Sequence, residues 1–152
     1  KVICLRTFSK IHGLATLRIG YGYASPEIIG LLQRARQPFN VNAIAQAAAI
    51  GALSDPEWVS TCRKLNRDGL AQLGHGLEQL GIEYIPSQAN FILSKPGNGR
   101  SLFSELQKQG IITRALGPSL EDYLRISVGT EEENKRCLSA LEKTRSMHAA
   151  KL

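Results

Sequence analysis

The residues best suited to chemistry lie close together near the start of the chain, in Thr7-Phe8-Ser9-Lys10-Ile11-His12-Gly13-Leu14-Ala15-Thr16-Leu17-Arg18-Ile19-Gly20-Tyr21. Lys10 follows an apolar run, Val2 to Thr7, that reads as a buried strand. A lysine at a strand exit can be held over a cavity, where partial desolvation and nearby positive charge free its amine as a nucleophile. Arg18, eight residues on, offers a planar fork suited to a phosphate, and Thr7 and Ser9 add hydroxyl donors. An amine beside a phosphate clamp is what a pyridoxal phosphate (PLP) site requires. Spacing alone favours a plainer arrangement, an exposed lysine in a turn with the arginine in solvent, because both residue types are usually solvated.

The elements that would position these groups alternate between strand-like and helix-like patterns. Leu17 to Ala24 reads as a second strand, with Leu17, Ile19, Tyr21 and Tyr23 alternating against Arg18, Gly20 and Gly22. Ser25 and Pro26 open a helix reaching about Arg34, and Gln37-Pro38-Phe39-Asn40 breaks it. Ala43 to Leu53 is Ala-rich and helical. Asp55 and Pro56 open a long helix to Leu80, with Trp58, Cys62, Leu65, Leu73, Leu77 and Leu80 near one stripe. Its Gly69, Gly74 and Gly76 mark bends or close contacts, and Gly81 is a stop.

The last third is a compact α+β pattern. Strands are expected at Ile82–Ile85, Asn90–Ser94, Ile111–Ala115 and Tyr123–Val128, with a helix at Leu102–Gln109 and a loop at Lys95–Gly99. Thr130 and Glu133 form a capping box before the final helix. Ser146 to Leu152 reads as a frayed tail. Leu124, Ile126 and Val128 share one strand face, so Arg125 points the other way, towards a cleft or towards solvent.

Four motifs in order resemble the fold-type I PLP aminotransferases, and among these the histidinol-phosphate aminotransferase branch. They are Ser9-Lys10 with Gly13 and Leu17-Arg18-Ile19-Gly20-Tyr21, then Gln37-Pro38-Phe39-Asn40-Val41-Asn42, then Ser87-Gln88-Ala89-Asn90-Phe91, then Leu124-Arg125-Ile126-Ser127-Val128-Gly129-Thr130. The resemblance implies an α/β fold: remnant strands of a large domain plus an α+β small C-terminal domain. Residues 1–42 would end the large PLP-binding domain, 43–81 would be linking helices, and 82–152 the small domain. Lys10 would carry PLP through its amine and act as the base at the substrate α-carbon. Thr7, Ser9 and Arg18 would hold the cofactor phosphate. Arg125 would bind the substrate acid group, with Arg114 assisting at a phosphate or second carboxylate. Asn90 would orient the substrate or the Arg125 head, or simply cap a strand, and Asn40 and Asn42 would fix a loop near the cleft.

The implied reaction transfers an amino group from histidinol phosphate to 2-oxoglutarate, in histidine biosynthesis, in a homodimer. Related PLP enzymes, an aromatic aminotransferase or a threonine-phosphate decarboxylase, stand as alternatives. In the family, the aspartate for the pyridinium nitrogen, the ring-stacking aromatic and a glycine-rich phosphate loop lie upstream of the lysine. Here no Asp precedes Asp55, and the chain opens inside an apolar run nine residues before Lys10. A piece of a longer enzyme, inactive alone, is therefore expected. His12 stands where the family usually has an aromatic, so shape filling is expected of it, and Thr16 replaces a common glycine.

Composition bounds the alternatives. The chain has 152 residues, 43% hydrophobic and 21% charged, which excludes collagen-like, disordered and disulfide-scaffold classes. The +6 charge, from 19 basic and 13 acidic residues, allows a non-enzymatic nucleic-acid binder. Against that, the basic residues are dispersed and only 6% of residues are aromatic, which leaves few stacking surfaces. An inert interaction domain is the third class. Cys4, Cys62 and Cys137 form no CxxC pair and suit core thiols in a reducing cytoplasm. His75 and His148 lack a metal-ligand partner, and neither a metal nor a membrane segment is expected.

Overall fold

The structure, a computed structural model, describes residues 2–149. The strands and helices group into two compact units, 1–63 and 64–152.

In the first unit, β1 (Ile3–Thr7) pairs antiparallel with β2 (Gly20–Ala24), Thr7 opposite Gly20. The second strand thus starts later than the alternation predicts. Ala15–Leu17 coil into a one-turn 3₁₀ helix, and Arg18 closes it in the left-handed region, φ 53, with its N–H bonded to the Ala15 carbonyl. That hydrogen bond removes 15–18 from the ladder, and Arg18 is not a strand residue. α1 (Pro26–Ala35) follows Ser25, whose side chain makes no capping bond although its carbonyl accepts from the Ile29 N–H. Asn42 caps α2 (Ala43–Leu53), its Oδ1 accepting from the Ala45 N–H at 2.8 Å.

α3 (Pro56–Gln79) begins with Asp55 accepting from the Trp58 N–H at 2.9 Å, as its sequence predicts. The apolar stripe does not run its length. Trp58 and Leu65 are exposed, and burial sets in from Gly69 onward, with Leu73 and Leu77 fully enclosed. The helical glycines are close contacts, not bends. A Cβ at Gly69 would strike Val128, at Gly76 it would strike Leu138, and at Gly74 it would lie 2.8 Å from the Tyr84 hydroxyl.

The second unit is a four-stranded antiparallel sheet of order β3-β4-β6-β5 with helices packed on it. These strands are β3 (Glu83–Ile85), β4 (Phe91–Lys95), β5 (Arg114–Ala115) and β6 (Leu124–Ser127). α4 (Gly99–Lys108) starts earlier than expected because Asn98 caps it, accepting from the Ser101 N–H at 2.9 Å. β5 is shorter than expected because the Ile111 N–H bonds back to the Leu106 carbonyl, closing the helix end over Gly110. β6 starts one residue late because the Tyr123 N–H completes a turn with Leu120. α5 (Glu131–Ala149) carries helix through Ser146–Ala149, so no frayed segment begins at Ser146, and residues 150–152 and the His148 side chain lie outside the described residues.

The core of this unit joins Leu73 and Leu77 to Ile92, Leu106, Leu124, Ile126 and Leu141. Cys137 belongs to it, its thiol pushed up to about 11 by burial, whereas Cys4 and Cys62 are only half-buried. Among the described residues no helix is long and apolar enough to cross a membrane.

Leu141 is fully enclosed, so Leu141→Ala is expected to cost about 2–5 kcal/mol of second-unit stability in denaturant unfolding. The capping box forms reciprocally, with the Thr130 N–H on Glu133 Oε2 at 2.7 Å and the Glu133 N–H on Thr130 Oγ1 at 3.2 Å. The backbone bond from Thr130 holds the Glu133 carboxyl below the usual 4.5. Its stabilisation is complete above that pH and is lost as pH falls through the lowered value. Glu133→Gln is expected to flatten the acid limb of stability below pH 4.5 in pH-dependent unfolding.

Candidate functional site

In the first unit, Lys10 sits on the excursion between β1 and β2, which is tied at both flanks. Phe8, 4% exposed, anchors it, its ring 5.1 Å from His12 and 5.8 Å from Tyr21. The Phe8 N–H bonds to Ile19 at 3.3 Å and the Leu14 N–H to the Phe8 carbonyl at 3.0 Å, so 8–14 closes on itself. A turn from the Lys10 carbonyl to the Gly13 N–H at 2.9 Å, with Gly13 at φ 68, reverses the chain after the lysine. Trp58 at the start of α3 donates its indole N–H to the Ile11 carbonyl at 2.7 Å. Read from sequence, Trp58 has only a place in a stripe. Its clue was an indole N–H on a helix start, which needs an acceptor.

Thr7 Oγ1 accepts from the Ser9 N–H at 3.0 Å, so both hydroxyl-bearing residues turn with the chain as it leaves β1. Lys10 is exposed and Ser9 half-buried, so the described residues do not supply the desolvation that the sequence suggested. Arg18 is also exposed, and its Nη1 donates to the Ala15 carbonyl at 2.6 Å. Thr16 lies inside the 3₁₀ turn with negative φ, so the left-handed residue is Arg18 and the replaced glycine strains nothing. No carboxylate pairs with Lys10 or Arg18 among the described residues. Hydroxyls, an amine and a guanidinium are the donor types that a phosphate next to a carbonyl requires, and Arg18 spends one of its donors on its own turn. His12 packs its ring on Phe8, and its buried Nδ1 has no partner among the described residues. Asn40 accepts from Arg36 Nη1 at 3.2 Å and Asn42 caps α2, so both fix the loop between α1 and α2.

In the second unit, β6 alternates as its sequence predicts. Leu124 and Ile126 are buried, and Arg125 takes the other face, half-buried, its guanidinium 5.1 Å from the Phe91 ring centroid. Arg125 stands directly opposite Arg114 in the β5–β6 register. Both line a cleft of about 540 Å³ whose lining holds no acidic side chain. Arg125 Nε is buried without a partner. Asn90 lies just before β4, exposed, its carbonyl accepting from the Val128 N–H at 2.9 Å. Arg100 and Thr113 line the same cleft and carry no sequence signal, Arg100 between the expected loop and the expected helix and Thr113 in an expected strand. Two unneutralised guanidiniums facing across a strand pair have the chemistry to attract an anion.

The chain belongs to the aminotransferase class I and II family, whose profile matches residues 1–141. The structure has the fold-type I aminotransferase architecture seen in its solved neighbours. Within the family it is similar to histidinol-phosphate aminotransferase 2 of Ralstonia nicotianae, 50% identical over 142 residues, covering 90% of this chain and 38% of that protein. Histidinol-phosphate aminotransferase 1 of Dechloromonas aromatica is 50% identical over 143 residues, covering 93% and 39%. The structure of histidinol-phosphate aminotransferase from Sinorhizobium meliloti, in complex with pyridoxal-5'-phosphate, matches with a TM-score of 0.87 and 31% identity, over 96% of this chain and 42% of that one. The chain thus spans well under half the length of these relatives.

Phe8→Ala is expected to loosen the lysine loop. Exchange of the Gly13 and Leu14 amides should quicken by about tenfold or more in hydrogen-exchange measurements, with second-unit amides unchanged.

Proposed function

We propose that these 152 residues are the C-terminal part of a PLP-dependent aminotransferase that uses histidinol phosphate and 2-oxoglutarate. The observation that carries this is the closed loop on which Lys10 sits, together with about 50% identity to histidinol-phosphate aminotransferases. In this reading residues 1–42 end the large domain, 43–81 link, and 82–152 form the small domain.

Thr7, Ser9 and Arg18 hold the cofactor phosphate, and Lys10 bonds the cofactor through Nζ. Bound PLP supplies an electron sink for the substrate α-carbon. Lys10 Nζ would be the base that takes the substrate α-proton. Arg125 binds the substrate carboxylate bidentately, with the Phe91 ring against its guanidinium fixing the fork. Arg114 meets the second anion that both histidinol phosphate and 2-oxoglutarate bring, and Asn90 orients the substrate. A homodimer in the cytoplasm is the assembly and place that fit this reading.

The residues that steady the pyridinium ring in such enzymes are not matched in this chain, since no aspartate precedes Asp55. The 152-residue chain alone is expected to bind PLP weakly or not at all, read by visible absorbance with Lys10→Ala as control, and to show no turnover. Measurable transamination by this chain alone would falsify that expectation. Expressed with the coding sequence upstream of Lys1, the protein is expected to transfer the amino group, and Lys10→Ala to lower kcat by about a thousandfold or more. Undiminished turnover in that variant would remove Lys10 from the mechanism.

A further inference from the structure

The arginine cleft holds more positive charge than two substrate carboxylates need. Besides Arg114 and Arg125, its lining includes Arg100 on the first turn of α4. No acidic group pairs with any of the three among the described residues. Arg114 and Arg125 already oppose each other directly across the ladder, an arrangement that destabilises a strand pair until an anion lies between them. The cleft wall also holds an orphaned donor and an orphaned hydroxyl: Arg125 Nε and Thr113 Oγ1 are both buried without partners. Buried polar atoms of this kind mark places where a ligand or water completes the bonding.

We propose that Arg100 and Thr113 extend this cleft into a subsite for a phosphate monoester, so that they distinguish a phosphate-bearing substrate from one whose second anion is a carboxylate. The proposal rests on the reading of Arg114 and Arg125 as substrate-side cations. A phosphate monoester near neutral pH carries between one and two negative charges and three acceptor oxygens. A carboxylate carries one charge and two oxygens. The larger anion can engage a third guanidinium and a hydroxyl that the smaller one leaves unused. An anion held by Arg100, on the first turn of α4, also meets the partial positive charge of the α4 N-terminus.

The test titrates methyl phosphate and, separately, acetate into the 152-residue chain, following the Arg125 Nε–H signal by NMR. Both anions are expected to move it, methyl phosphate binding more tightly. Arg100→Gln is expected to weaken methyl phosphate by about threefold to fivefold and leave acetate unchanged. Thr113→Val, which removes the hydroxyl at nearly constant volume, should act in the same direction. The backbone amide spectrum of each variant reports retention of the fold, and Arg100→Lys should recover part of the phosphate affinity. If neither anion moves the Arg125 signal, the underlying reading of Arg125 fails and the subsite with it. If both move it and the two variants bind methyl phosphate like the parent chain, the subsite alone is overturned. Equal weakening of both anions by Arg100→Gln also overturns it, because Arg100 would then act only as general charge.

Discussion

The pleat of β6 decides where the chain keeps its charge. Leu124 and Ile126 go into the core with Leu106 and Leu141, and that burial fixes the strand's phase. Arg125, between them, has no choice of face. A slip of one residue would drive a guanidinium among leucines and expose the two apolar side chains. The hydrogen bond from Ser94 Oγ to the Leu124 carbonyl, at 2.9 Å and fully buried, adds a second lock on the same register. Arg114 inherits its position from this strand through the β5–β6 ladder, so the pairing of two like charges follows from apolar packing on the opposite side of the sheet.

The lysine loop is held by a different principle. Among the described residues of its unit, its order comes from one enclosed ring and a set of backbone bonds. Phe8 supplies the apolar anchor, while Gly13, Leu14, Ile19 and Trp58 close the polar groups around it. The two places therefore respond to different insults. The arginine cleft is sensitive to core volume, and the lysine loop to the loss of single contacts.

The phase of β6, the Asp55 cap and the Thr130–Glu133 box were legible because each depends on residues close in sequence. Arg125 could be placed from Leu124 and Ile126, and the Thr130–Glu133 box from spacing alone. The helix at Ala43–Leu53 could likewise be read from its own composition. What escaped reading depended on how a backbone donor was spent. Arg18 left its strand because its N–H turned back to Ala15, and Ile111 left its strand because its N–H finished a helix. Alternating side chains look the same in either case. Arg100 and Thr113 escaped for another reason: a cleft brings together a helix turn and a strand edge that sequence spacing keeps apart.

Gly69 and Gly76 stand seven residues apart on α3 and so share one face, against Val128 and Leu138. The gap at that face is set by backbone, with no side chain to trim. Evolution at this seam therefore has one direction open. A larger residue at Val128 or Leu138 cannot be balanced by a smaller one on α3, because glycine is already the minimum. Drift there can only loosen the packing and refill it from α5 and β6. Among relatives that keep this helix spacing, the two glycines should change less often than the leucines and valines that rest on them.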